Sequence, residues 1–275
     1  MTTTMRRRVG AGLWSAYPAR TRPGTGRWVP ATVAAALLLA IWWAVTAGGL
    51  VAPLYLPGPE DVAARMVSQL SSGVAWRYLT PTISAALLGA LIAVAVAIPV
   101  GILIAHSRPL AAVLEPFVAL SQTVPLVAIA PLLVLWLGYG TVPIAVLCAI
   151  VAFFPMITTT VVGLRSLDMR VVETALLDGA SFPQRLWHIE GPMVAPAVLA
   201  GVRGGMALAM TGAVVGEMVM GGSGMGTLLT ISRQTADTAS VFAVVAWIAL
   251  VAMALYGIVS IAERAAVRRL QGVTT

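Results

Sequence analysis

Apolar residues in this chain gather into blocks of about 20 or more, the length a helix needs to cross a bilayer. The first block lies within Trp28–Pro59, with its apolar heart at 29–49. A second covers 78–105. Pro116–Leu164 then runs 49 residues without a formal charge, too long for one crossing. The Leu137-Gly138-Tyr139-Gly140-Thr141 punctuation divides that region into spans at 112–137 and 141–162, joined by a tight turn. Further blocks at 196–220 and 241–262 bring the expected count to six. The pattern predicts an all-α polytopic membrane protein with a membrane domain over 28–270, a connecting loop at 163–195 and a short tail at 271–275. Residues 1–27 lack apolar periodicity and read as a flexible basic tail. A cleaved signal peptide fits less well, because the apolar run starts late and exceeds the usual 7–15-residue core.

Composition agrees with this and removes several chemistries. Of the 275 residues, 59% are hydrophobic and 10% charged, against roughly 25% charged in a soluble domain. All 17 basic residues are arginine, so there is no lysine for a phosphate-binding loop or a Schiff base. Two separated histidines (His106, His188), one cysteine (Cys148) and scattered carboxylates argue against metal sites and disulfides. The net charge of +7 is placed between the apolar blocks and points to a membrane surface, not to nucleic acid. With the N-terminus inside, Arg6, Arg7, Arg8, Arg20, Arg22, Arg27, Arg108, Arg165, Arg170, Arg185, Arg264, Arg268 and Arg269 face the cytoplasm. Only Arg65, Arg77 and Arg233 face the other side, and Arg203 reads as lying at a helix end. This positive-inside bias puts both termini in the cytoplasm.

The loop from Gly163 to Pro196 is not made for lipid. Val171–Asp178 has the pattern of a short helix, and Gly179 follows where a helix ends in left-handed backbone. Ser181 can cap a second short helix with Pro183 in its first turn, and Gly191-Pro192 is expected to end it. The result is a helix–turn–helix finger carrying apolar knobs at Leu176, Leu177, Leu186 and Trp187. Such a patch marks a partner site, unless the finger packs back on its own helix ends.

Glu173-Thr174-Ala175, Gly179, Ile189 and Pro192 hold the spacing of the EAA loop, so the chain resembles binding-protein-dependent ABC importer permeases. Thr174 and Gly191 depart from that pattern, replacing an alanine and a leucine. The likeness extends over roughly residues 50–270. Leu56-Pro57-Gly58-Pro59-Glu60-Asp61-Val62 is similar to the entry to the external amphipathic helix of the nitrate, sulfonate, taurine and thiamine-precursor group. Ser121-Gln122-Thr123-Val124-Pro125 with Ala130-Pro131 through Gly140 is similar to its third span, and Gly224-Met225-Gly226 with Leu228-Leu229 to a later segment. Within the group, permeases for pyrimidine thiamine precursors or riboflavin look nearest. The resemblance implies a type I importer permease in a bacterial inner membrane, without catalytic residues of its own. Its implied partners are cytoplasmic ATPase subunits holding ATP and Mg, an extracytoplasmic solute-binding protein and a second permease copy. It assigns Glu173, Ala175, Leu176, Gly179, Ala180, Leu186, Trp187, Ile189 and Pro192 to ATPase coupling.

Candidates for the solute pathway come from polar or soft residues at membrane depth. Glu217 is costly there and suggests function. It cannot pair with Arg203 on one helix, since 14 residues separate them by about 21 Å. It lines the pathway, pairs with another helix or with the dimer mate, or sits near the outer water. Ser121, Gln122 and Thr123 form a polar cluster, and Thr158–Thr160 another; each either lines a cavity or bonds neighbouring helices. Met210, with Met206, Met218 and Met220, is a gate candidate or filler. Gly201, Gly204, Gly205, Ala209 and Gly212 favour close helix approach at a two-fold interface. Gly221–Gly226 lacks the context of a phosphate loop and reads as a flexible external loop or gate. Two rivals remain: a secondary transporter or channel working without an ATPase, and an intramembrane enzyme, for which no nucleophile–base pair is evident.

Overall fold

The computed structural model describes residues 28–121 and 125–272. Every regular element among them is helical. The chain divides after Ala52 into two units. The first holds α1, Trp28–Ala47, an apolar helix of 20 residues. The second begins with α2, Pro59–Ser71, the amphipathic helix expected from the Leu-Pro-Gly-Pro entry. Its start is set by Pro59 in the first turn and by Asp61, whose carboxylate accepts from the Gly58 amide at 3.3 Å. Then come α3 (Val74–His106), α4 (Arg108–Ser121), α5 (Leu126–Leu137) and α6 (Thr141–Arg165). The finger contributes α7 (Met169–Leu177) and α8 (Phe182–Arg185). It is followed by α9 (Gly191–Met220), α10 (Met225–Gln234) and α11 (Thr238–Gly272).

Four helical stretches are long and apolar enough to cross a membrane: 74–106, 141–165, 182–220 and 238–268. Two shorter apolar helices lie at 32–47 and 128–137. The expected third span is therefore interrupted. Pro125 has extended backbone (φ −69°, ψ 114°) and lies outside both α4 and α5, and as a proline it donates no amide to a helix ladder.

The centre of the second unit is α3, α6 and α9, packed through small residues. A Cβ on Gly89 of α3 would overlap Cys148 of α6. One on Gly101 would lie 2.9 Å from Thr160 Cγ2, and one on Gly201 of α9 would overlap Thr159 Oγ1. Gly205 and Gly212 likewise face Met156 and Cys148. Gly201, Gly205 and Gly212 thus pack within the subunit, which corrects their expected place at a two-fold interface; of the glycines in that expected set, Gly204 has open space beside it. Dispersion between close backbones replaces the hydrophobic drive that lipid does not supply.

Arg203 also moves from its expected place at a helix end. It lies well inside α9 and its guanidinium meets Glu263 of α11 at 2.8 Å, stacked 5.3 Å from the Tyr256 ring centroid. A charge at this depth is tolerable because its partner is on the next helix. At the opposite end of α11, Asp237 accepts from the Ser240 amide at 3.0 Å and pairs with Arg65 of α2 at 2.8 Å. Burial raises the Asp237 carboxyl, but the Ser240 bonds and Arg65 outweigh it and hold the group below its ordinary value.

Candidate functional site

The finger forms from local signals. Asp168 caps α7 by accepting from the Arg170 amide at 3.0 Å, which starts the helix two residues earlier than the apolar pattern suggested. Gly179 takes φ +78°, and the Ala180 amide reaches back to the Ala175 carbonyl at 3.0 Å, a left-handed helix end. Ser181 then starts α8, its amide and hydroxyl both donating to Gln184 Oε1 at 2.9 Å, with Pro183 in the first turn. Val172 and Ala175 are buried beneath the finger, while Glu173 and Leu176 are exposed and Leu177 is 88% exposed. Trp187 is 77% exposed; Ala180, Leu186, Ile189 and Pro192 are half-buried. Three of the four apolar knobs, Leu176, Leu177 and Trp187, are thus presented outward.

Gly191-Pro192 does not end the second finger helix, contrary to expectation. Residues Leu186–Glu190 form a π turn, in which the Gly191 amide bonds the Leu186 carbonyl, and the chain passes directly into α9. Proline has no amide to continue the ordinary ladder, and the wider turn absorbs the loss. Gly191 is required by that turn, since a Cβ there would lie 2.7 Å from the Leu186 carbonyl oxygen. The departure from the family's leucine is explained locally. The second half of the finger is continuous with a spanning helix.

A side-chain cluster at the finger's root was not anticipated. Glu190 is 2% exposed, its carboxylate bonded to Arg185 Nε and to His106 Nε2, the latter at 2.7 Å. His106, the last residue of α3, also faces the Ile102 carbonyl through Nδ1 at 2.9 Å. Both ring nitrogens therefore face oxygen atoms, a backbone carbonyl on one side and the Glu190 carboxyl group on the other. Phe182 closes the cluster, edge-on to His106 at 5.1 Å between centroids and 5.6 Å from the Arg185 guanidinium carbon. In the sequence, His106 and Glu190 read as two loop residues 84 positions apart. Next to this cluster an apolar cavity of about 310 Å³ lies between α3, α6 and α9, with Leu186 and Trp187 at its finger side.

At the far end of α9 stands a second buried carboxylate. Glu217 is 1% exposed. Its Oε2 accepts from the Thr82 hydroxyl of α3 at 2.9 Å and from the Gly226 amide at 2.8 Å. The Thr82 hydroxyl in turn accepts from the Met225 amide at 2.8 Å. The first amides of α10 are thereby satisfied by α9 and α3. Gly224 is the only residue that fits, because a Cβ there would overlap the Glu217 carboxylate. Of the sequence alternatives for Glu217, the geometry gives pairing with another helix, inside the subunit. The Gly221–Gly226 segment, expected as a flexible external loop or gate, leads into helix α10, and its Gly226 amide is bonded to Glu217.

Met210 is 2% exposed within the α3–α6–α9 core. Thr159 and Thr160 bond back to Pro155 and Met156 carbonyls of their own helix at 2.8 and 2.7 Å. Gln122 and Thr123, and the side chain of Ser121, lie outside the described residues.

The family model for the binding-protein-dependent transport system inner membrane component matches residues 97–272. The chain is 42% identical over 233 residues to the riboflavin transport system permease protein RibX of Chloroflexus aurantiacus, covering 84% of this chain and 87% of that one. It is 30% identical to the taurine transport system permease protein TauC of Escherichia coli, over 80% and 82% of the two chains. Identity to the formylaminopyrimidine transport permease protein ThiX of Halalkalibacterium halodurans is 28%, over 75% and 82%. Among solved structures, an inward-facing MetNI methionine ABC transporter chain superposes with a TM-score of 0.61 at 16% identity, covering 70% of this chain and 94% of that one. That likeness concerns the fold. The chain, a multi-pass membrane protein, belongs to the family of binding-protein-dependent transport system inner membrane components.

Proposed function

We propose that this chain is the membrane subunit of an ATP-driven importer in a bacterial cell membrane, working as a homodimer of six-span subunits with cytoplasmic termini. The observation that carries the reading is the finger. Leu176, Leu177 and Trp187 stand outward on a helix–turn–helix whose second arm runs unbroken into a spanning helix. Apolar side chains so displayed need a partner. A cytoplasmic ATPase holding ATP and Mg fits that need, contacting Glu173, Ala175, Leu176, Gly179, Ala180, Leu186, Trp187, Ile189 and Pro192 within loop 163–195. An extracytoplasmic solute-binding protein delivers the solute. Riboflavin is the proposed substrate, supported by 42% identity to a riboflavin permease against 30% or less for the taurine and formylaminopyrimidine permeases. Ser121, Gln122 and Thr123 are kept as pathway candidates, while Met210 and Glu217 are assigned to holding the subunit together.

Reconstitution tests the reading. The chain is co-expressed with its neighbouring ATPase and binding protein, placed in proteoliposomes, and assayed for uptake of riboflavin, taurine and formylaminopyrimidine with and without internal ATP. ATP-dependent riboflavin uptake is expected, lost in Gly179→Pro because proline cannot adopt the φ of +78°. Uptake without ATP, or normal uptake by the variant, refutes ATPase coupling through the finger. Uptake of taurine or formylaminopyrimidine alone refutes the substrate.

A further inference from the structure

Both ends of one helix pair are closed by buried carboxylates. Helices α3 and α9 run antiparallel, with His106 bonded to Glu190 at the finger end and Thr82 bonded to Glu217 at the other. Thr82 and His106 are 24 residues apart on α3, about 36 Å at 1.5 Å per residue. Glu190 and Glu217 are 27 residues apart, about 40 Å on the same scale. Between the two ends the helices meet α6 through glycine contacts too close for a side chain. The far end does not stop at α9, because Glu217 and Thr82 also hold the Gly226 and Met225 amides that begin α10.

We infer that Glu190, His106, Glu217 and Thr82 are positioning residues of the transport cycle: they clamp α3 to α9 at both ends, so that displacement of the finger is delivered to α10 on the opposite face. The physical reasons are three. A buried carboxylate with two donors has a steep cost of separation, so neither end slips under a small load. A close-packed core moves as a body instead of deforming continuously. The π turn joins the finger to α9 without an intervening loop, and Glu190 is the last residue of that turn, so finger and clamp move together. The Arg185 bond to Glu190 and the Phe182 contact with His106 add the start of the second finger arm to the same body.

The inference rests on the ATPase-coupled dimer proposed above, and the test separates the two. Cys148→Ala removes the one cysteine, and Arg233→Cys places a single spin label on the exposed end of α10. Inter-subunit distances are measured in the ATPase complex with and without ATP and vanadate. In the otherwise wild-type complex the nucleotide shifts the α10 distance; no shift there refutes the ATPase-coupled reading itself. In Glu190→Gln and Thr82→Val the expected result is loss of that shift with the ATPase still co-purifying, and Thr82→Ser regains it. If Thr82→Val does not accumulate, Glu217→Gln takes its place with the same expectation. A full wild-type shift in either clamp variant overturns the inference. So does release of the ATPase by Glu190→Gln, which would make Glu190 a docking residue.

Discussion

Replacing Thr82 by valine keeps the shape of the side chain and deletes one hydroxyl with three contacts, the longest of them to the Tyr78 carbonyl of its own helix at 3.2 Å. That hydroxyl donates to Glu217 Oε2 at 2.9 Å and accepts from the Met225 amide at 2.8 Å. Thr82 and Met225 are both fully buried, so water cannot replace either bond. An unmet buried donor costs about 1–3 kcal/mol, and a lost hydrogen bond about 0.5–1.5 kcal/mol. The two overlap, since one group serves both, and a total of about 3 kcal/mol is expected. At roughly 2–4 °C per kcal/mol for a chain of this size, the melting temperature falls by about 6–12 °C. The protein carries its own reporter: Cys148, its one cysteine, is buried. A fluorogenic maleimide added to detergent-purified protein reads its exposure on heating. Thr82→Ser keeps both bonds and stays within ~1 kcal/mol, about 2–4 °C. If Thr82→Val melts with the wild type, or Thr82→Ser falls as far as valine, the hydroxyl does not hold α10 to α3 and α9.

The same thermal assay checks the helix contacts. Gly201→Ala overlaps Thr159 and should cost about 1–3 kcal/mol, whereas Gly204→Ala meets nothing within 4 Å and should gain about 0.5–1 kcal/mol from helix propensity. Gly191→Leu restores the family residue but drives a side chain into the Leu186 carbonyl; ATP-dependent uptake should drop while membrane levels hold, and normal uptake would mean the π turn is dispensable. Asp237, with its carboxyl held below the ordinary value, adds stability that is fully present above that value and is lost as pH falls through the lowered native one. Asp237→Asn should therefore melt below the wild type at pH 7, with the gap closing below about pH 4; a gap that persists in acid would place the effect elsewhere.

The spans at α3, α6, α9 and α11 were legible because lipid imposes one requirement on each of them, a long apolar stretch with its backbone bonded internally. Their ends were less so. Pro81 and Pro99 lie inside α3, where they do not end the helix, yet Pro125 lies outside both α4 and α5. Helix α10 was also missed. Its first residues, Gly224-Met225-Gly226, carry no helix signal of their own. The helix is started from outside, by a carboxylate on α9 and a hydroxyl 143 residues before Met225.

Glu217 and Glu190 show where sequence reasoning stops. Glu217 stood out because a charge inside an apolar block is expensive, and that cost also guarantees partners. What the local sequence did not contain was their identity, since Thr82 is 135 residues away in the chain. Glu190 lies in the loop stretch between two apolar blocks, where a carboxylate carries no evident cost. Its burial follows from the π turn, which carries the finger into α9 and turns this carboxylate toward His106. The finger's outward knobs were readable because exposure toward a partner is written in short-range pattern. The clamps behind it depend on antiparallel register between α3 and α9, which a single chain of letters expresses only once it is folded.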